Sequence, residues 1–448
     1  MAAEDAAHAQ RVAAAAQWLK AHAAAPVALA KRTSNLFRDR APGRREHLDL
    51  QALNHVLHTD VHAGWVEAEG SATYEQLVAW TLGLGMMPAV VPQLKTITLG
   101  GAAAGVGIEA ASFREGLVHD TLLEIEVLLP HGEVVVARPD NEHADLFFGF
   151  PNSYGTLGYA VRLRARTRPV RPCVRVQHTR LRRPQTFFRA LADACTSDAD
   201  FVEGVAFGPD DFVLSVAHFV TQAPWRSDYT YMNVYWKSLR ERRLDYLSAA
   251  GWLWRWDTDW FWCSRNFGAQ VPLVRRLLGR EHLNSRTYTR LMRLNARWQL
   301  AQRLDRWRGL SRESVIQDVD IPIDRAAEFL AFLVREIGIL PIWACPLRGE
   351  VAGRHFPLYP LEPAGLYVNF GFWDVVQSSV PTEPGHYNRL IERQVARLGG
   401  IKSLYSDSYF TRAEFDAAYG MEQYAALKAK YDPQGRAPHL YDKTVRRA

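Results

Sequence analysis

Two stretches carry residue types that could do chemistry. Residues 98–116, TLGGAAAGVGIEAASFREG, hold five glycines and five alanines, and no large side chain except Val106 between Leu99 and Ile108. Side chains this small let a backbone approach a large flat group or an anion with its N–H donors turned toward it. The second stretch is YSDSY at 405–409. On an extended segment, Tyr405, Asp407 and Tyr409 share one face and form a set able to give or take a proton. The same pattern also fits a surface strand with solvated tyrosines. Glu109 lies inside the small-residue stretch and is either a further acid or a fixing point for the loop. Gln317 and Asp318 are weaker candidates, and His355 and His386 read as ordinary polar residues.

Other chemistry is argued against by what surrounds these residues. Gly105-Val-Gly107-Ile-Glu-Ala110 has the GxGxxA form of a dinucleotide-binding turn. That turn needs a strand before it, a helix of about a dozen residues after it and an acid about 20 residues on. Glu124 and Glu126 could be the acid, but Gly116 cuts the segment short and a strand follows from about Thr121. Near the start, PVALA at 26–30 reads as a short buried strand. It runs into Lys31, Arg32, Thr33, Ser34 and Asn35, which offer cations, hydroxyls and an amide to phosphate, or make an ordinary capped turn. The four cysteines form no CxxC pair and have no zinc spacing, so no metal site is expected; they read as reduced thiols.

The elements that must position these groups follow from periodicity and turn residues. Strands are expected at 47–50, 53–60, 65–69 and 86–91, with a helix over 73–82 capped by Thr73. Residues 121–129 and 133–137 form a hairpin across His131-Gly132. Residues 159–168 alternate apolar side chains with Arg162, Arg164, Arg166 and Arg168, which reads as an edge-like strand with one cationic face. From about 172 the texture changes. Helices are expected at 186–195, 325–337, 386–398, 412–419 and 423–431. Strands are expected at 201–207, 212–219, 314–323, 339–346 and 366–372. Trp252, Trp254, Trp256, Trp260, Phe261 and Trp262 could line an apolar channel, lie in a membrane interface with Arg255 and Arg265 at its edge, or pack the core of a cap domain.

The chain has 448 residues, enough for two or three domains. At 48% hydrophobic and 23% charged residues, it is a folded soluble protein by composition. Lys and Arg outnumber Asp and Glu by 54 to 48. That mild excess favours anionic partners such as phosphorylated cofactors, acyl carriers or lipid headgroups, or belongs to a solvated surface. The alanine-rich start reads as a surface helix and not as a signal peptide, and no run of about 18 apolar residues reads as a membrane span. The expected location is the cytoplasm, with peripheral contact to the inner face of a membrane as an added option. No nucleic-acid partner is expected, because no fold signature accompanies the Trp–Arg stretch.

Residues 98–110, followed by SFREG at 112–116, resemble the central flavin-binding loop of the vanillyl-alcohol-oxidase-type (PCMH-type) FAD proteins. Within that superfamily the chain most resembles the delta(24)-sterol reductases, from about residue 45 to the C-terminus. The similarity includes EHADLFFGF at 142–150, SYGTLG at 153–158, FVEG at 201–204, VIQD at 315–318, PIWACP at 341–346 and YSDSY at 405–409. The resemblance implies an α+β protein: a two-subdomain PCMH-type FAD-binding domain followed by an α+β substrate or cap domain. The expected divisions are an N-terminal helix at 1–25, the FAD-binding domain at 26–170, the cap at 171–400 and a C-terminal segment at 401–448 returning toward the flavin.

The resemblance also implies FAD contacts from Thr98, Leu99, Gly100, Gly101, Gly105, Gly107, Ile108, Glu109 and Ala110. Backbone N–H groups of Gly100, Gly101, Gly105 and Gly107 would face the cofactor. Gly155, Thr156 and Gly158 would contribute from their turn, and Thr33, Ser34 and Asn35 from the early one. Neither the early turn nor residues 98–116 contain a histidine, so FAD is expected to be non-covalent. The implied reaction reduces, or forms, an isolated C=C bond of a lipid with NADPH or NADH as donor. Tyr405, Asp407, Tyr409 or Glu109 would supply the proton. No N-terminal hydrophobic anchor like that of the sterol enzymes is expected, and residues 250–310 are far richer in Trp and Arg. Both features favour a methylene-substituted or mono-unsaturated fatty acyl chain or a prenoid over a sterol side chain. An alcohol or sugar oxidase using O₂, and a non-catalytic membrane-associated lipid-binding protein, remain alternatives. The oligomeric state is left unassigned.

Overall fold

A computed structural model describes residues 2–30, 37–38, 45–298 and 310–446. Thr33, Ser34 and Asn35 lie outside the described residues. Strands β1 (Val27–Ala30) and β2 (Glu46–Asp49) pair in parallel. Strands β3 (Val56–Asp60), β4 (Trp65–Glu69), β5 (Met86–Pro88), β6 (Leu122–Leu128), β7 (Val134–Ala137) and β8 (Tyr159–Pro169) build an antiparallel sheet. Its order is β3-β4-β8-β6-β7, with β5 on β8. A helix at Tyr74–Leu82 starts on the expected Thr73, whose side chain and that of Gln76 cap each other's backbone N–H.

Strand β8 corrects one expectation. It is central in the sheet, not edge-like, because β4 and β6 flank it on both sides. Its arginines meet carboxylates brought by those neighbours. Arg162 Nε lies 2.7 Å from Glu126, and Arg164 bonds Glu67 at 2.8 Å. The cross-strand register pairs Arg162 with Glu126 and Arg164 with Glu67.

The second sheet comprises β9 (Cys173–Leu181), β10 (Phe201–Gly208), β11 (Asp211–Val220), β12 (Leu244–Ser248), β13 (Ser311–Pro322), β14 (Ile342–Arg348), β15 (Leu366–Ser378) and β16 (Ile401–Lys402). Its order is β12-β9-β11-β10-β14-β15-β13-β16. Period-two alternation sends Val315, Val319 and Ile321 of β13 into a core with Phe187, Leu191, Phe329, Leu330, Ile391 and Val395 from the helices on that face. The opposite face of β13 looks toward the first sheet. The C-terminal segment adds β16 beside β13 and then packs against residues 149–156. There Leu427 fills the space left by Gly149, and Lys428 bonds the Thr156 carbonyl at 2.7 Å.

The tryptophan stretch is mainly core. Trp252, Trp256 and Trp262 are fully buried, and Arg255 is buried with them. Arg255 bonds Glu203 through Nε and NH2 at 2.9 and 2.8 Å, and the Trp256 and Trp343 indoles each donate to the same carboxylate at 3.0 Å. A buried charge is tolerable only when paired in this way. Arg255 therefore cannot edge a membrane interface, and Arg265 is tied to Asp374 at 2.5 Å.

The N-terminal helix, Ala2–Ala21, is anchored by a buried charge cluster. His8 Nδ1 lies 2.8 Å from Glu69, Arg11 NH2 2.6 Å and His55 Nδ1 2.7 Å. Burial opposes charge on His8, but its bonds to Glu126 and Glu69 outweigh that and raise its pKa to about 9. Burial likewise opposes charge on Glu69, and its hydrogen bonds from His8, the His55 backbone and Arg11 bring it down to about 2. A raised histidine stabilises fully below its unfolded value of 6.5 and loses that contribution as pH rises through about 9. The depressed Glu69 contributes above 4.5 and is lost as pH falls through about 2. Hydrogen exchange in residues 2–21 is therefore expected to quicken, beyond its intrinsic pH dependence, between pH 7 and 9. His8→Leu should remove that added step; an unchanged step would assign the anchoring elsewhere.

Candidate functional site

The small-residue stretch is less of a ribbon than its composition suggests. Thr98 caps a short helix, Leu99–Ala104, by accepting the Gly101 N–H at 3.1 Å. The helix stops at Gly105, and residues 106–109 belong to no helix or strand. Only a four-residue helix, Ser112–Glu115, follows, too short for a dinucleotide-binding turn of the GxGxxA kind.

The expectation that the Gly100, Gly101 and Gly105 N–H groups face a ligand needs correction. Gly100 N–H bonds the Gly70 carbonyl at 2.9 Å, Gly101 N–H bonds Thr98, and Gly105 N–H bonds Gly101 at 3.0 Å. These glycines serve close packing. A Cβ on Gly100 would lie 2.7 Å from the Gly70 oxygen, and one on Gly107 would lie 2.6 Å from Val118. Their remaining surface forms a low wall.

That wall borders a cavity of about 1090 Å³ between the two sheets. Ligand sites run to about 1,000 Å³, so this one has room for a large cofactor and part of a second molecule. Thr98, Gly100, Gly101, Gly105, Gly107 and Ile108 line it, with Gly155 and Gly158 from the next turn. Gly155 and Gly158 have φ of +75° and +142°, where a side chain would be strained. Leu99, Glu109, Ala110 and Thr156 are not among the lining residues. Leu99 and Ala110 belong to the core, and the Thr156 hydroxyl donates to the Ser153 carbonyl at 2.8 Å. Glu109 is buried and accepts the Ala111 N–H at 2.8 Å, so its contact holds the loop. Burial raises its pKa, against the opposing pull of Arg255 and Arg168.

Across the cavity, the inward face of β13 presents Arg312, Ser314, Ile316 and Asp318 in strict alternation. Asp318 stands opposite Gly371 of β15. A Cβ there would come within 2.9 Å of its Oδ1 and still closer to the Trp373 ring, so only glycine leaves room for both. The Trp373 indole donates to the Tyr405 hydroxyl at 2.9 Å. Asp318, Trp373 and Tyr405 all line the cavity. Burial pushes the Asp318 carboxyl up to about 7, with hydrogen bonds from Tyr405 and Trp373 opposing and the charge of Asp320 adding. Burial, Asp318 and the bond to it also hold the Tyr405 hydroxyl protonated, well above its ordinary pKa.

Of the three residues expected to act together, Tyr405 and Asp407 reach the cavity and Tyr409 does not. Tyr409 packs over Gly385 instead, beside Arg389. Gln317 also points away and bonds Asn388. His355 pairs with Glu350, outside the cavity lining. Trp260 and Phe261 line the cavity, so the edge of the tryptophan stretch serves it while the remainder is core.

Several wall residues carried no sequence signal. Gln93 is buried at 4% exposure, and both atoms of its amide lack a hydrogen-bond partner. Leaving such a group unsatisfied costs about 1–3 kcal/mol, which a polar ligand would recover. Arg38, Arg45 and Lys443 bring positive charge to the lining. Cys263 is the only thiol among the described lining residues, and burial pushes it up to about 12. No histidine is among them.

Comparison with known proteins completes the description. Residues 5–138 match the sequence profile of the FAD binding domain family. Over 428 residues, 88% of this chain and 77% of the relative, it is 25% identical to the Delta(24)-sterol reductase of Homo sapiens. The Arabidopsis thaliana Delta(24)-sterol reductase is 23% identical over 458 residues, 90% of this chain and 77% of the relative. Cytokinin dehydrogenase 6 of Oryza sativa subsp. japonica is 31% identical over 147 residues, 32% of this chain and 28% of its own length.

Proposed function

Because the chain belongs to the PCMH-type FAD-binding family and is an oxidoreductase related to the delta(24)-sterol reductases, we propose that it reduces an isolated C=C bond of a lipid, with NADPH or NADH as donor. The same site would run the reverse reaction, forming the bond, if an acceptor drew the electrons away. The preferred substrates are methylene-substituted or mono-unsaturated fatty acyl chains, with prenoid and sterol side chains of the same chemical kind.

The cavity fits FAD on three counts. It has the volume, its wall includes Gly100, Gly107 and Gly158, where even a Cβ would clash with the protein, and the unpartnered Gln93 amide awaits a polar ligand. Gly101, Gly105, Gly107, Ile108, Gly155 and Gly158 would hold the cofactor, with Arg38, Arg45 and Lys443 favouring its phosphates. Bound there, FAD supplies hydride transfer to or from carbon.

The observation that carries the reading is Asp318. Burial raises its carboxyl to about 7, on the wall of a cavity to which Ile316, Trp343, Trp373 and Phe261 also contribute. Reduction of a C=C bond needs a proton on one carbon, and a carboxyl with a pKa near the working pH suits that task. Tyr405 orients the carboxyl and can pass a proton to it; Trp373 fixes the Tyr405 hydroxyl. Asp407 lines the same cavity and stands as a second acid. The aromatic and aliphatic wall excludes water from an apolar chain.

The cofactor is held without a covalent bond, since burial keeps the Cys263 thiol protonated and no described lining residue is a histidine. Acid precipitation should release all yellow colour into the supernatant; colour retained in the pellet would contradict this. The function itself is tested by anaerobic reduction with NADPH and mass analysis of the lipid that reoxidises the protein. Rapid peroxide release with alcohols or sugars, and none with lipid, would favour the oxidase reading.

A further inference from the structure

The consecutive helices Pro272–His282 and Ser285–Trp298 expose side chains that are both apolar and basic. Leu277 is 80% exposed and Leu273 66%, and Val271 precedes them. Spaced four apart, Leu273 and Leu277 share one side of their helix. Leu291 and Leu294 of the next helix are exposed too, and both also line the cavity, so its mouth opens beside this face. Leucines exposed this fully mark a docking surface.

Charge indicates what docks there. Residues 271–298 hold seven arginines and one acid, Glu281. Arg275 is buried against Asp259, Arg280 pairs with Asp228 and Arg286 with Glu75. Arg276 and Arg290 are exposed. Exposed leucines flanked by arginines on consecutive helices are the composition of an interfacial membrane element. A second copy of the chain fits less well, since a two-fold contact would set the same arginines against each other. Among the described residues no helix is long and apolar enough to cross a membrane.

We infer that this helical pair docks the protein onto an anionic phospholipid bilayer. Leu273 and Leu277 enter the acyl region, Arg276 and Arg290 meet the phosphates, and the cavity mouth at Leu291 and Leu294 faces the lipid. The inference deepens the lipid-substrate reading and rests on it for its purpose, while the docking itself needs no turnover. The membrane-facing element is thus not the Trp252–Trp262 stretch but the helices that follow it.

The test is co-sedimentation of the full chain with vesicles of phosphatidylcholine and phosphatidylglycerol, and with phosphatidylcholine alone. Wild type should bind the mixed vesicles, bind the neutral ones far more weakly, and come off in high salt. Each leucine is worth about tenfold or more in partitioning, so Leu273→Asp with Leu277→Asp should weaken binding by about a hundredfold. The double variant should keep its melting temperature and its FAD content, because neither residue lines the cavity. Arg276→Glu should weaken binding in low salt only. Undiminished binding of the double variant, equal binding to neutral vesicles, or a wild-type dimer that the double variant dissolves would each overturn the inference. Flavin colour and NADPH reduction test the functional reading separately.

Discussion

Asp318→Asn is expected to bind FAD and accept electrons from NADPH at the wild-type rate, yet to pass them to an unsaturated lipid about 10²- to 10⁴-fold more slowly. The amide has nearly the same shape as the carboxyl and can still accept the Tyr405 hydroxyl, so the β13–β15 packing around Gly371 should survive. What it lacks is a transferable proton. The pH profile sharpens the claim. With the carboxyl raised to about 7 by burial, wild-type lipid reduction should fall about tenfold per unit above that pH, while the Asn variant stays flat. Tyr405→Phe removes a hydrogen bond that lowers the Asp318 value, so its midpoint should move upward. If Asp318→Asn kept full speed and the wild-type midpoint, the proton would come from another group, with Asp407 next to be examined.

The second large effect concerns the cavity wall. Gly105→Phe should yield colourless protein. A Cβ at Gly105 already lies 3.1 Å from the Gly101 oxygen and 3.6 Å from the Tyr154 ring, so a benzyl group has only the cavity to enter. Ile108→Trp offers an independent route, because Ile108 already carries a side chain on that wall. Both variants should keep a cooperative thermal transition and lose the visible flavin bands. Full loading of both would place the cofactor elsewhere.

Much of the fold was legible because periodicity and turn chemistry agree with the final packing. The helix after Thr73, the hairpin across His131-Gly132 and the paired strands β10 and β11 are set by local signals, and tertiary structure leaves them in place. Strand β8 misled because an arginine-rich face reads as an edge. The glutamates that neutralise it sit on β4 and β6, far away in sequence. The glycine-rich stretch announced close approach, but not to what. Three of its glycine N–H groups are spent within the protein, on the Gly70 and Gly101 carbonyls and the Thr98 hydroxyl, and Gly70 gave no hint of this.

The candidate site was legible in half. Tyr405 and Asp407 were visible as an alternating pair, and the alternation failed at Tyr409 because that ring turns to fill the space beside Gly385. Asp318 was read as a weaker candidate, since a single aspartate on a strand says nothing about its environment. Its chemistry depends on Gly371 opposite, Trp373 alongside and Asp320 two residues on, a conjunction only the sheet register creates. Gln93 and Arg38 gave no signal, because a lone polar residue near a turn looks like solvent-facing surface.

The central claim is that the cavity holds FAD against an acid able to complete reduction of a lipid C=C bond. Its most direct test is one anaerobic experiment. Purified protein is bleached with NADPH, then mixed with phospholipid carrying methylene-substituted or mono-unsaturated chains, and the flavin absorbance is followed. The yellow bands should return, together with a lipid product heavier by two hydrogens. Protein that takes up no FAD, or that recovers its colour only when oxygen is admitted and leaves every such lipid unchanged, would contradict the account.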